Sequence, residues 1–452
     1  MRTLLLLLMP FCAFSQVVEY VEPLLVPIVV TKGGSNPVDY VRPLVATSEN
    51  GICVLESHIN PLNDSLVTSL KKIGFDNLGL LDSVNILDQH PTFRYVFNIL
   101  SYADSLVLLG VQPADWSPYH IGRIDIIKAT NELGITSSEQ LLFPDTFLTI
   151  DIGVPPFINA EGNIVAIGAK ASLPLPPLWD WELFVVEFTL LGELVQVTSL
   201  PINALSLGAI LQVSDTHYGI MAGPSVGVVD ENFELNYVVD VREGTNEACT
   251  ALKKAVSHEV GAPSYFGFSC FKAFHLPGTN YATIEHYDKI ARLDGSAGEW
   301  DVVADILVEI DSSYEVQRNE QTMALQDGYL YFGNNYQTFT SDLSVPRTLF
   351  TVNKIDTSGA VQWVRYFWSE ENAVAKQFLA LPNGKLLVLV EKNYYSNDFL
   401  PQLIDRDYFG LLLNSDGTVN SSELAWTDNE ISEIRLFPNP TSGLIVVETS
   451  RP

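Results

Sequence analysis

A short apolar segment recurs seven times along this chain. Its copies begin at Gly51, Ser105, Gly162, His217, Asn280, Gly328 and Gly384, so at intervals of 54, 57, 55, 63, 48 and 56 residues. A second pattern follows each copy: an apolar run, a polar turn, then another apolar run. Its clearest example is Val352 to Trp363 around Asp356-Thr357-Ser358-Gly359. Others span Ile73 to Leu80, Ile126 to Ile135 around Asn131 and Gly134, Phe188 to Leu194, Val228 to Leu235, Ile290 to Trp300, and Leu411 to Val419. Self-similarity at such a period marks a repeat architecture. Each period holds two hairpins, hence about four strands.

Several of these strands, such as Leu386 to Val390, are apolar on both faces. Both faces must then be covered, and a lone four-stranded sheet of this size is marginal. Stacking the sheets radially buries both faces and leaves only short edges. The expected fold is therefore all-β, a seven-bladed β-propeller of about four strands per blade with a short C-terminal β tail. A β-solenoid has a shorter period, and tandem sandwiches have a longer one. The propeller is expected over residues 16–425. In the last unit, Lys376 to Leu381 should pair with Leu386 to Val390, with strands near Phe409 to Leu413 and Val419 to Ala425. Asn383-Gly384 and Asp416-Gly417 would supply the positive-φ positions of two-residue hairpins. Val17 to Val30 precedes the first unit and is apolar enough to donate a closing strand to the last blade.

Residues 241–275 break the pattern. A helix capped at Thr245 or Asn246 and running to Val260 would place Ala248, Leu252, Ala255 and Val256 on one face. Cys249 and Cys270 lie in this segment and are the candidate disulfide pair; buried unpaired thiols are the other reading.

The ends of the chain speak to export. Arg2, the apolar run Leu4 to Met9, and small residues at Ala13 and Ser15 form a secretory signal over residues 1–15, with cleavage before Gln16. The run is too short to span a bilayer, and Cys12 lacks the small preceding residue of a lipoprotein signal. No later segment has membrane-spanning length. Acidic residues number 54 against 25 basic, for a net charge of −29. That balance argues against nucleic acid and anionic membranes as partners.

After a polar linker at 426–432, residues 433–452 read as strand, turn, strand. The stretch Ile434 to Val447 contains Phe437-Pro438-Asn439-Pro440 followed by Ser442-Gly443. It closely resembles the opening of the C-terminal sorting domain of type IX secretion substrates. The resemblance implies a partial sorting domain at 433–452, passage through the periplasm, and a secreted or surface location reached with the type IX machinery. The repeats also look like those of exported bacterial propellers with a strand, Asp-x-x-Gly, strand-Trp unit, best seen at Ile355 to Trp363.

Chemistry is sparse. Gly223-Pro224-Ser225-Val226-Gly227 has nucleophile-elbow spacing, but a hairpin rather than a helix follows. The histidines form no His-x-x-x-His pair, the cysteines no Cys-x-x-Cys pair, and the acids no calcium loop. No metal or cofactor is therefore expected, and Asp405-Arg406-Asp407 reads as a surface turn. Aromatic groups at Trp116, Tyr119 and His120, at Trp179 and Trp181, and at Tyr394 and Tyr395 are candidates for stacking on sugars or for packing between blades. The expected function is an exported binding propeller for a glycan or protein. The alternative is a glycan-degrading hydrolase or lyase with carboxylates at the propeller centre.

Overall fold

The computed structural model describes residues 18–20, 25–31, 44–48, 51–60, 65–76, 78–90, 95–113, 121–142, 148–150, 156–170, 182–200, 207–222, 224–242, 247–257, 263–275, 282–294, 299–308, 314–317, 323–338, 347–369, 372–382, 384–395, 403–419, 433–438 and 445–450. The signal segment, the linker and Val419's neighbours to 425 lie outside these residues.

Seven antiparallel blades follow one another. Blade 1 comprises Leu44–Ser48, Gly51–Asn60, Ser65–Ile73 and Leu80–Asn85; blade 2, Tyr95–Tyr102, Ser105–Pro113, Ile121–Thr130 and Ile135–Leu142. In blade 3 a broken inner strand, Leu148–Ile150 and Phe157–Ile158, precedes Ile164–Lys170, Glu182–Phe188 and Leu194–Leu200. Blade 4 is Leu207–Ser214, His217–Ala222, Ser225–Asp230 and Leu235–Asp240; blade 5 is Glu247–Ser257, Ser264–His275, Ala282–Asp294 and Glu299–Val308. In blade 6 both inner strands are broken, as Tyr314–Gln317 with Ala324–Gln326 and Tyr329–Phe332 with Asn335–Thr338, before Thr348–Asp356 and Val361–Ser369. Blade 7 takes Asn372–Ala380, Leu386–Tyr395 and Leu403–Leu413 from the C-terminal side.

Its fourth strand comes from the other end of the chain. Val26–Thr31 pairs antiparallel with Leu403–Leu413, Val26 opposite Gly410 and Thr31 opposite Arg406. Val419, the one described residue of the expected closing run, forms a single bridge to Leu413. Val18–Tyr20 runs parallel beside the outer strand of blade 6, and the Tyr20 and Trp368 rings lie 4.8 Å apart.

Seven apolar seams close the ring. Cys53 and Leu55 of blade 1 pack with Leu106 and Leu108 of blade 2. Leu109 and Ile126 meet Ala166 and Phe188 between blades 2 and 3, and Val165 and Val185 meet Ile220 and Phe233 between blades 3 and 4. Met221 and Val228 meet Phe266 and Phe268, Ile290 meets Leu330 and Ile355, and Phe350 and Phe367 meet Val388 and Val390. Finally Leu387 and Leu389 of blade 7 pack on Ile52 and Val54 of blade 1. Leu386 to Val390 are fully buried, because successive side chains serve opposite seams. Each such side chain contributes about 1.5–3 kcal/mol of burial.

Four third-to-fourth strand turns, those of blades 2, 3, 4 and 6, share one construction. The side-chain oxygens of Thr130, Thr189, Asp230 and Asp356 each accept from the backbone N–H groups two and four residues on. The residue three on is left-handed: Leu133, Gly192, Phe233 and Gly359, with φ of 61°, 79°, 61° and 93°. In blade 2 the left-handed position is thus Leu133 rather than its neighbour Gly134. Leu133 and Phe233 are buried in seams, which offsets the roughly 1–2 kcal/mol cost of that conformation. Gly384 and Gly417 are also left-handed, at 76° and 80°. Their turns are closed by Leu381 with Lys385 and by Asn414 with Thr418, so they are three-residue loops, not two-residue ones.

Blade 5 corrects the sequence reading. Residues 247–257 form a strand, not a helix, paired with Ser264–His275. The Ala-Leu-Lys-Lys-Ala run favours a helix locally, but a partner strand rich in Tyr265, Phe266, Phe268 and Phe271 overrides that weak preference. An irregularity between Ala251 and Ala255 absorbs the surplus residues. The segment starting at Asn280 therefore leads into the third strand of its blade, Ala282–Asp294, not the second.

A separate unit, residues 420–452, contains the hairpin Glu433–Pro438 with Ile445–Ser450, in which Phe437 lies opposite Val446 and Pro438 opposite Ile445. Asn439, Pro440, Ser442 and Gly443 lie outside the described residues.

Deleting residues 18–31 removes the fourth strand of blade 7 and the buried Leu25. The expected result in calorimetry is loss of the single cooperative transition or a strongly lowered midpoint; an unchanged transition would show that the ring closes without this segment.

Candidate functional site

The hairpin connectivity makes the two ends of the ring unlike. First-to-second and third-to-fourth strand turns lie at one end, the base. Second-to-third connections and the crossings between blades lie at the other, the head. At the base, side chains of one blade dock on the turn of the next. Lys72 Nζ donates to the Asn131 carbonyl at 2.8 Å. Lys354 Nζ and Trp363 Nε1 both donate to the Ser415 carbonyl, at 2.9 and 3.0 Å, and Arg365 donates to Gly417. The Ala160 N–H donates to Gln212, and Lys385 pairs with Asp76 at 3.1 Å. Trp363, the aromatic of the strand-Trp unit, is thus a packing residue between blades 6 and 7.

At the head, longer connections join the strand ends. The chain from Pro113 to Ile121 carries Trp116, Tyr119 and His120, and that from Lys170 to Glu182 carries Trp179 and Trp181. These five lie outside the described residues. Tyr394 and Tyr395 end the second strand of blade 7 at the same end. Lys392 Nζ lies 5.3 Å from the Tyr394 ring centroid, and burial pushes the Tyr395 hydroxyl pKa up.

Toward the head, four seams carry buried charge. Between blades 7 and 1, Glu391 is held by Lys376 at 3.1 Å and by the Tyr408 hydroxyl at 2.7 Å, with Arg406 at 4.0 Å. Burial pushes the Glu391 carboxyl up, but Lys376 and Arg406 together hold it below the ordinary carboxylate range. Asp405, Arg406 and Asp407 lie in the third strand of blade 7. The run read from sequence as a surface turn is therefore a strand that turns Arg406 toward Glu391.

Between blades 1 and 2, Arg123 Nε lies 3.0 Å from Asp125 Oδ1. Burial raises the Asp125 pKa, against the lowering by Arg123 and His90. Between blades 5 and 6, fully buried Asp288 accepts from Asn334, Tyr336, Thr351 and Asn353. Between blades 4 and 5, buried Lys289 lies 2.7 Å from Glu247 and 3.5 Å from Asp305. None of these clusters has a local sequence signature. Only the pairing of distant strands reveals them.

The other candidates are placed as follows. Ser225 opens a strand opposite Ala222 and Asp240, so the Gly-Pro-Ser-Val-Gly run is not a nucleophile elbow. Cys249 and Cys270 lie opposite each other in neighbouring strands and are joined by a disulfide. Cys53 is buried and lies outside the disulfide. The Glu247 carboxylate and the two sulfurs lie within 4.8 Å of one another. Among the described residues of the innermost strands, the carboxylates are Glu247 and Glu315, and Glu247 is already paired with Lys289.

No family model matches the chain, and no curated protein matches it. Solved structures similar to it include the Pan2 WD40 domain of Neurospora crassa, at 9% identity and a TM-score of 0.43, covering 87% of this chain and 97% of that one. BamB from Moraxella catarrhalis is similar at 7% identity and a TM-score of 0.34, covering 81% and 92%. The polysaccharide lyase Uly1 is similar at 8% identity and a TM-score of 0.43, covering 87% and 98%. The chain is a seven-bladed β-propeller.

Replacing Glu391 by Gln strands Lys376 and Arg406 and should cost about 3–5 kcal/mol near neutral pH in denaturant unfolding. The carboxylate's contribution is present above its unfolded pKa and is lost as pH falls through its lower folded pKa. The gap between wild type and variant should therefore narrow as pH falls from about 6 to about 3. A gap independent of pH would contradict this assignment.

Proposed function

We propose that this chain is an exported binding propeller that presents its head end to an extracellular glycan or protein. The observation that carries this is the asymmetry of the ring. The base is closed by short turns docked on neighbouring blades. The second-to-third connections and the crossings between blades belong to the head, where repeat insertions gather on a binding face, and Tyr394 and Tyr395 end a strand of blade 7 there. Stacking of Trp and Tyr on sugar rings, or their burial against a protein, is the recognition chemistry such a face offers.

Export is part of the same proposal. Cleavage before Gln16 leaves Val18–Tyr20 and Val26–Thr31, the segments that cover blades 6 and 7, on the mature chain. The tail hairpin belongs to a unit distinct from the ring, which suits a segment read by the type IX machinery. A chain lacking 433–452 should remain in the periplasm of a Gram-negative host while the full chain reaches the medium or cell surface. Equal retention of both would overturn the sorting role.

Binding is tested with immobilised extracellular polysaccharides and proteins. Trp179→Ala with Trp181→Ala should weaken retention at least tenfold, about 1.4 kcal/mol. Lys385→Ala, at the base, should leave it within twofold. Equal losses from both ends, or no binding across the panel, would overturn the reading.

A further inference from the structure

Blade 5 holds a group of chemistry-bearing side chains that the binding reading does not use. Glu247 and Cys249 are two residues apart on the innermost strand, so they share a face. Cys270 lies opposite Cys249 on the next strand. The carboxylate and both sulfurs are within 4.8 Å of one another. Their face meets the apolar wall of blade 4, where Cys270 packs with Leu211, Met221 and Phe268. We propose that Glu247, Cys249 and Cys270 form a zinc-class metal site that the Cys249–Cys270 disulfide masks and reduction exposes.

The donor set fits the ion. Zinc takes thiolate sulfur at about 2.3 Å and carboxylate oxygen at about 2.0–2.2 Å in a tetrahedron. That geometry separates two sulfurs by roughly 3.8 Å and sulfur from oxygen by roughly 3.5 Å; the sulfurs are bonded to each other in the disulfide, so they must part on reduction before a metal enters between them. Rigid neighbouring strands supply all three ligands, and a water completes the fourth position. Lys289 Nζ, 2.7 Å from Glu247 Oε1, would orient the carboxylate so that Oε2 faces the metal. Such outer hydrogen bonds to ligands are a regular part of metal sites.

Charge gives a second, independent argument. Glu247 and Asp305 are ion-paired with Lys289 and Lys272, so these four groups sum to zero while the disulfide is intact. Reduction by a phosphine, with water as the oxygen source, adds two electrons and two protons and yields two thiols and a phosphine oxide. Loss of the thiol protons would leave two further negative charges against an apolar wall, which is costly without compensation. One divalent cation cancels them as the two protons depart. Disulfide and metal are therefore mutually exclusive occupants of one place.

The test uses the full chain, reduced with a phosphine under anaerobic conditions, loaded with zinc, and freed of excess metal. One equivalent of zinc should remain, and cobalt should give thiolate charge-transfer absorption. The oxidised chain and a Cys249→Ser/Cys270→Ser variant should retain none. Glu247→Gln should lower zinc affinity at least tenfold. Cys53 is common to all forms and cancels. Circular dichroism and thermal unfolding check that each form keeps its ring. Zinc retention equal in reduced wild type and the double variant would overturn the proposal, as would equal affinity in Glu247→Gln and wild type. Unfolding of the ring on reduction, before zinc is taken up, would also overturn it.

Discussion

Every blade is apolar on two faces, and neither face can be covered from within its own sheet. The whole ring depends on that one constraint. A strand such as Leu386–Tyr395 sends Val388 and Val390 into one seam and Leu387 and Leu389 into the next. No seam can be left open without exposing a full face, so the seventh blade must meet the first. The N-terminal strand Val26–Thr31 completes blade 7 from outside the repeat order. Ring closure thus joins the first and last strands of the blades in one contact.

With the seams fixed, the ends of the blades take different roles. The base carries tight turns built on a side-chain oxygen and a left-handed residue, and neighbouring lysines, Trp363 and Arg365 seize their carbonyls. The head carries the longer connections, above seams that hold buried carboxylates and their partners. Those carboxylates face the seams between blades, Glu247 from an innermost strand and Asp125, Asp288 and Glu391 from strands farther out. Glu391 meets Lys376 across neighbouring strands, Arg123 and Asp125 are two residues apart on one strand, and Glu247 and Lys289 meet from the first and third strands of blade 5. Isolated buried charges of this kind would be untenable.

Much of the architecture was legible because a period-two apolar pattern and a turn every few strands leave a mark on the sequence. The strands after Gly51, Ser105 and Gly384 and the turns at Asp356 and Asp416 were read directly. Blade 5 was not, because Ala251 to Ala255 has a helical composition and its strand character comes from its aromatic partner. Leu133 and Phe233 were not recognised as turn residues, since bulky side chains hold left-handed positions only where a seam receives them. The buried charge clusters were invisible for a related reason. Glu247 and Lys289, or Asp288 and Asn334, are tens of residues apart and meet only when blades stack.

The sequence by itself determined that the chain is all-β, that it has about seven repeats, and that it carries a net charge of −29. These follow from local periodicity and composition, which need no partner to be read. Tertiary structure alone decided which strand closes blade 7, that residues 247–257 are a strand, and which side chains share a seam. Each of those depends on a neighbour supplied from elsewhere in the chain, and burial energy is assigned only when that neighbour arrives.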